Sequence, residues 1–136
     1  MIEHGLSFHH LGLATEKPSK AIAFIKTLGY SVSDMIEDPL QKVRLVWAEH
    51  NYMPAIEVIY PTEQPGPLDK ILKNRNEMIY HVCYTSKNVE SSIMAISNVN
   101  RIISIGSKKP AVLFDGKNVS FYLVSGFGLI EVIEIE

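Results

Sequence analysis

The chain has 136 residues, 13 Lys plus Arg against 15 Asp plus Glu, a formal net charge of -2 and 46% hydrophobic residues. That is the size of one globular domain with apolar residues enough for a core, which excludes a disordered or collagen-like chain. The balanced charge and the lack of a basic run give no footing for nucleic acid or an anionic membrane, and no apolar run approaches the ~20 residues of a bilayer span.

The first residues carry no signal-peptide pattern, and Cys83 is the single cysteine, so no intrachain disulfide can form. A cytoplasmic protein without a membrane or nucleic-acid partner is expected. Leu6–Ala14 reads as a strand. Lys17-Pro18-Ser19 opens a helix with Ile22, Phe24, Ile25 and Leu28 as its apolar stripe, and Gly29 ends it. Strands follow at Tyr30–Ile36, Val43–Trp47 and Ala55–Tyr60, the last after the turn Asn51-Tyr52-Met53-Pro54.

Pro61–Pro67 is a proline-rich connection, and Leu68–Lys73 reads as one or two helical turns. The β-α-β-β-β order then returns: a strand over Met78–Thr85, a helix over Val89–Ser97, strands near Arg101–Ile105 and Ser120–Val124, and a last strand at Leu129–Ile135. The turn Asp115-Gly116-Lys117-Asn118 precedes the third of these strands. The expected organisation is a single domain over 1–136, with one module at about 5–62, a connector at 63–77 and a second module at about 78–136. Met35, Met53, Met78 and Met94 are expected as core or turn fillers.

Short matches support the duplication. Ile56-Glu57-Val58-Ile59 recurs as Ile130-Glu131-Val132-Ile133, and His10 and His81 each sit inside a strand-like segment that precedes a helix. The offsets are similar: 71 residues separate His10 from His81, and 74 separate Glu57 from Glu131. Taken singly, His81 reads as a core histidine and Glu131 as one more charge beside Glu134 and Glu136. Glu57 is different, since a carboxylate flanked by apolar residues in a strand needs a partner or a metal.

A His and a Glu at equivalent places twice make His10, Glu57, His81 and Glu131 a candidate set. Two imidazoles and two carboxylates suit one divalent ion of the Co, Zn, Ni, Mn or Fe type, if the modules pair about a pseudo-twofold axis. Strand alternation puts His10 on one face with Gly12 and Ala14, which leave room beside it, and turns Leu11 and Leu13 toward a core. Cys83 shares the face of His81 and reads as a small buried residue rather than a nucleophile.

The residues resemble the vicinal oxygen chelate (glyoxalase/bleomycin resistance) superfamily, and within it methylmalonyl-CoA epimerase and glyoxalase I. His10-Leu11-Gly12-Leu13-Ala14 is similar to the family's opening His-Ile-Gly-Ile-Ala, and Ile56-Glu57-Val58-Ile59-Tyr60-Pro61 to its Ile-Glu-Leu-Leu-x-Pro. Tyr80-His81-Val82-Cys83-Tyr84 resembles the second-module His-His-Ile-Cys, and Leu129-Ile130-Glu131-Val132-Ile133-Glu134 the closing Leu-Ile-Glu-Leu-Val-Glu. The resemblance implies an α+β fold of two paired βαβββ modules forming a cupped mixed sheet. It implies that His10, Glu57, His81 and Glu131 ligate one divalent metal, and that Glu131 or Glu57 moves a proton beside a carbonyl.

The implied activity is that of a metal-dependent isomerase or epimerase acting on a small acyl-thioester, in a homodimer. Arg44, Trp47 and Tyr84 are expected to line the substrate's approach. One position departs from the epimerase pattern. In Asp38-Pro39-Leu40-Gln41-Lys42-Val43-Arg44, Gln41 matches the family's glutamine, but Leu40 stands where the epimerases resemble one another in carrying an acid. Leu40 cannot move a proton, which counts against strict methylmalonyl-CoA epimerase activity and leaves the metal site untouched. Rival readings are a lactoylglutathione lyase (glyoxalase I), an Fe(II) dioxygenase, which Glu131 as a fourth ligand disfavours, and a non-catalytic small-molecule binder of the bleomycin-resistance type.

Overall fold

A computed structural model describes residues 3–136 of the chain. Strand β1 (Ser7–Thr15) leads to helix α1 (Pro18–Thr27), then β2 (Ser31–Val32), β3 (Ile36–Asp38), β4 (Val43–Glu49) and β5 (Ala55–Pro61). The short helix α2 (Leu68–Ile71) follows, then β6 (Glu77–Ser86), α3 (Val89–Ser97), β7 (Ile102–Pro110), a 3-10 turn at Val112–Phe114, β8 (Asn118–Val124) and β9 (Gly128–Glu134). The fold is α+β: the second half follows the βαβββ order, and the first half follows it with the strand after α1 split into β2 and β3. No helix among the described residues is long and apolar enough to cross a membrane.

The described residues form two compact units, one of residues 10–80 and one of residues 3–9 together with His81–Glu136. In the first, β1 runs parallel to β5, β4 runs antiparallel to β5, and both β2 and β3 pair with β4. One strand expected at Tyr30–Ile36 is thus two short ones. Ser33 explains the interruption: its hydroxyl oxygen accepts from the Trp47 N–H at 2.9 Å, and its own N–H donates to the Trp47 carbonyl at 2.8 Å. A side chain has taken the place of a ladder carbonyl there, and the chain bends away before pairing resumes.

Pro18 occupies the first turn of α1, where its missing N–H costs nothing, and Gly29 after the helix adopts φ 95°. Ile25 buries itself with Tyr30, Val46, Ala48 and Val58, and Leu13, Ala21 and Ile22 pack on that cluster. Phe24 and Leu28, expected in the buried stripe, are exposed, because the narrow contact between α1 and the strands takes the Ala21/Ile22/Ile25 edge. Val46, Val58 and Leu13 face this core, so alternation turns Trp47, Glu57 and Gly12 to the other side of the same strands.

In the second unit β6 runs parallel to β9, with β8 antiparallel to β9 and β7 antiparallel to β8. Asn88 caps α3 by accepting from the Ser91 N–H at 3.1 Å. The hydroxyls of Ser86 and Ser92, 2.8 Å apart and buried, tie that helix to β6. Cys83, Ala111, Val119 and Ile133 form the core on the opposite face, with Phe114, Phe121 and Ile135 packed against it. Met35, Met53 and Met94 are all exposed rather than core fillers, Met94 on α3 and the other two in segments between strands.

β7 extends past the expected Ile105 to Pro110, with its pairing register broken between Ile105 and Lys109. Gly106 sits in the break at φ 71°, a backbone conformation that a side chain would resist.

Candidate metal and active site

Each unit buries one histidine against one glutamate. In the first, β1 and β5 align Gly12 with Glu57, and His10, two residues earlier in β1, shares that face. His10 Nε2 lies 3.6 Å from Glu57 Oε1, and the two residues are 0% and 4% exposed. Trp47 stands directly across from Glu57 in the β4–β5 ladder. Its ring meets His10 edge-on, with centroids 5.0 Å apart and planes at 81°, and its indole N–H donates to Glu49 Oε1 at 2.8 Å.

The second unit repeats the arrangement. Glu131 of β9 aligns with Cys83 of β6, two residues after His81, and His81 Nε2 lies 3.2 Å from Glu131 Oε1, both residues being buried. Phe121 of β8 stands across from Glu131, its ring 5.9 Å from His81 at 76°. Phe121 was missed in the sequence reading, though a signal existed: Trp47 precedes Glu57 by ten residues, and Phe121 precedes Glu131 by the same ten.

These pairs have a consistent chemistry. Taking a carboxylate out of water is costly, and a neutral imidazole beside it offsets the cost only in part, whereas a divalent cation with nitrogen and oxygen ligands satisfies both groups. The aromatic edges of Trp47 and Phe121 add apolar walls that keep water from the imidazoles and strengthen any electrostatic interaction made there.

Other residues singled out in the sequence lie elsewhere. Arg44 is on the face of Val46 and Ala48, opposite to Trp47 and Glu57, and its Nε lies 3.5 Å from Glu37 Oε1 on the neighbouring strand. Tyr84 likewise alternates away from His81 and Cys83 and meets Phe8 edge-on at 6.4 Å. Cys83 is fully buried, with its thiol 3.6 Å from the Tyr84 carbonyl. His9, next to His10, sets its ring edge-on to Phe114 at 5.4 Å.

The stretch around Leu40 is built as a turn. Asp38 is 0% exposed, and its Oδ1 accepts from the N–H groups of Leu40 and Gln41, each at 3.1 Å. The Gln41 amide donates to Asp38 Oδ2 at 3.0 Å, and Leu40 itself is exposed. Asp38 therefore anchors the turn, and Glu37 pairs with Arg44 at the surface.

A two-module α+β chain with a strand-borne His–Glu pair in each module falls in a recognisable class. The chain belongs to the Glyoxalase/Bleomycin resistance protein/Dioxygenase superfamily, whose sequence profile matches residues 9–121. Solved structures agree on the fold. The chain is similar to methylmalonyl-CoA epimerase from Mycobacterium tuberculosis, with a TM-score of 0.78 and 17% identity over 100% of this chain and 93% of that one. It is similar to a hypothetical protein from Bacillus halodurans C-125, with a TM-score of 0.77 and 23% identity over 96% and 95% of the two chains. A variant of the Streptomyces coelicolor methylmalonyl-CoA epimerase in complex with 2-nitronate-propionyl-CoA gives a TM-score of 0.72 and 18% identity over 93% and 95%. No curated protein matches the chain in sequence.

Proposed function

We propose that the protein is a metal-dependent isomerase or epimerase that moves a proton on the carbon beside the carbonyl of a small acyl-thioester. The observation that carries this reading is the doubled His–Glu pair, His10 with Glu57 and His81 with Glu131, all four buried. Two imidazole nitrogens and two carboxylates suit a divalent Co, Zn, Ni, Mn or Fe ion, and His10, Glu57, His81 and Glu131 would hold it. Such an ion, when bound, stabilises negative charge developing on a carbonyl oxygen.

The chain's own residues supply the rest. Glu131 or Glu57 takes the α-proton on a carboxylate oxygen and returns it, each already set beside an imidazole. Trp47 and Phe121 limit water around the imidazoles. With Asp38 tied into its turn and Leu40 lacking an acid, the reading favours α-proton chemistry on a thioester over strict methylmalonyl-CoA epimerisation. Lactoylglutathione lyase, Fe(II) dioxygenase and non-catalytic binding remain the rivals, and the two carboxylates favour proton transfer over oxygen activation. A cytoplasmic homodimer belongs to the same proposal.

The test is to incubate metal-loaded protein in deuterated water with a panel of acyl-CoA thioesters and follow the α-carbon by NMR. Metal-dependent deuterium uptake is expected. Loss of the reading would follow from a panel that stays protonated while the protein binds its metal.

A further inference from the structure

On the second unit, the face that carries Glu131 continues outward as hydrocarbon. The ladders align Cys83 with Glu131, Glu131 with Phe121 and Phe121 with Ile105 in one row. The neighbouring row aligns Leu129 with Leu123 and Leu123 with Ile103. Directly paired residues share a face of the sheet, so Ile103, Ile105, Phe121 and Leu123 lie together beside Glu131. Ile103, Ile105 and Leu123 are 47%, 43% and 44% exposed.

One exposed apolar residue needs no explanation, but three grouped beside a buried ionisable pair mark a binding surface. The other unit shows that the module does not require them. By the shared ten-residue offset, Trp47 corresponds to Phe121 and Glu49 to Leu123, and the residue across from Glu49 is Ser31, where the second unit has Ile103. The same structural positions are polar in one copy and apolar in the other. None of the four is cationic; the nearest cations along the chain on either side are Arg101, just before β7, and Lys108 and Lys109, beyond Ile105, with Lys109 across from Val119.

We propose that Ile103, Ile105, Phe121 and Leu123 form an apolar shelf that receives the hydrocarbon chain on the substrate's reacting carbon. The substrate is then an acyl-thioester with a chain of several carbons. This rests on the α-proton reading above. Each methylene laid on the shelf tightens binding by about threefold to fourfold, the usual transfer free energy of a buried CH₂.

The experiment titrates metal-loaded protein calorimetrically with unreactive alkyl-CoA thioethers of increasing chain length, beside α-deuterium exchange on the matched acyl-CoA thioesters. The parent is expected to bind about threefold tighter per methylene. Leu123→Ser and Ile105→Ser, both at exposed positions, should flatten that slope to under about twofold, whereas Met94→Ser on α3 should keep it. Equal slopes in parent and shelf variants, or no slope at all, would overturn the shelf. So would a change of sedimentation mass in those variants without a change of slope, which would make the patch an interface between copies. A slope lost in the variants while no thioester exchanges would uphold the shelf and sink the α-proton reading; exchange without any slope would do the reverse.

Discussion

Phe121 stands directly across the β8–β9 ladder from Glu131, and its ring edge reaches the very histidine, His81, that the glutamate contacts at 3.2 Å. One strand pairing thus fixes three groups. The register that puts Glu131 beside β6 also sets an apolar wall against the imidazole, so the ring orientation of His81 is held from two sides. Positional control of this kind is what a metal ligand or a proton carrier needs, since small displacements cost affinity and rate.

Removing either histidine should abolish metal retention. His10→Ala and His81→Ala, loaded with Co(II) and measured by visible absorption and elemental analysis, are each expected to lose at least about 100-fold in affinity, because loss of even an outer-sphere partner can cost that much. A double variant that holds cobalt as tightly as the parent would remove the proposed site.

The two carboxylates should separate by role. Where one acts as the proton carrier, its Gln variant is expected to lose about 10²–10⁴ in α-deuterium exchange, the usual worth of general base catalysis. Glu57→Gln and Glu131→Gln, compared at saturating metal, therefore identify the base. Full exchange in both variants would show that neither glutamate carries the proton.

Asp38 should prove structural. Asp38→Ala leaves the N–H groups of Leu40 and Gln41 and the Gln41 amide without their acceptor, and a loss of about 1–3 kcal/mol in urea unfolding is expected. Asp38→Asn keeps one acceptor oxygen for the turn and should exchange α-protons at a rate close to the parent's. A drop of about 100-fold in Asp38→Asn would instead assign the residue to proton transfer.

The strands bearing His10, Glu57, His81 and Glu131 were legible because the pattern that marked them, a polar residue inside an apolar strand, occurs twice. The ladders that align Gly12 with Glu57 and Cys83 with Glu131 follow from the same repetition. For Arg44 and Tyr84 chemical type and strand alternation point different ways: Arg44 has the parity of Val46, and Tyr84 that of Val82, so neither shares a face with the nearby His–Glu pair. The break of Tyr30–Ile36 into β2 and β3 was hidden because it depends on the Ser33 hydroxyl meeting the Trp47 N–H, a contact between residues 14 apart in sequence. The continuation of β7 past Gly106 was hidden for a similar reason, since it depends on a partner strand against which pairing resumes only at Lys109, opposite Val119.

Cys83, wholly enclosed between β6's neighbours and alone of its kind, makes the chain its own reporter of opening. A thiol reagent can reach that sulfur only when the unit around Val119 and Ile133 comes apart, so the labelling rate counts those excursions. An ion that binds only the closed form would slow the labelling in proportion to its occupancy. The one cysteine thus gives a clock against which ligands of His81 and Glu131 can be timed without any substrate being known.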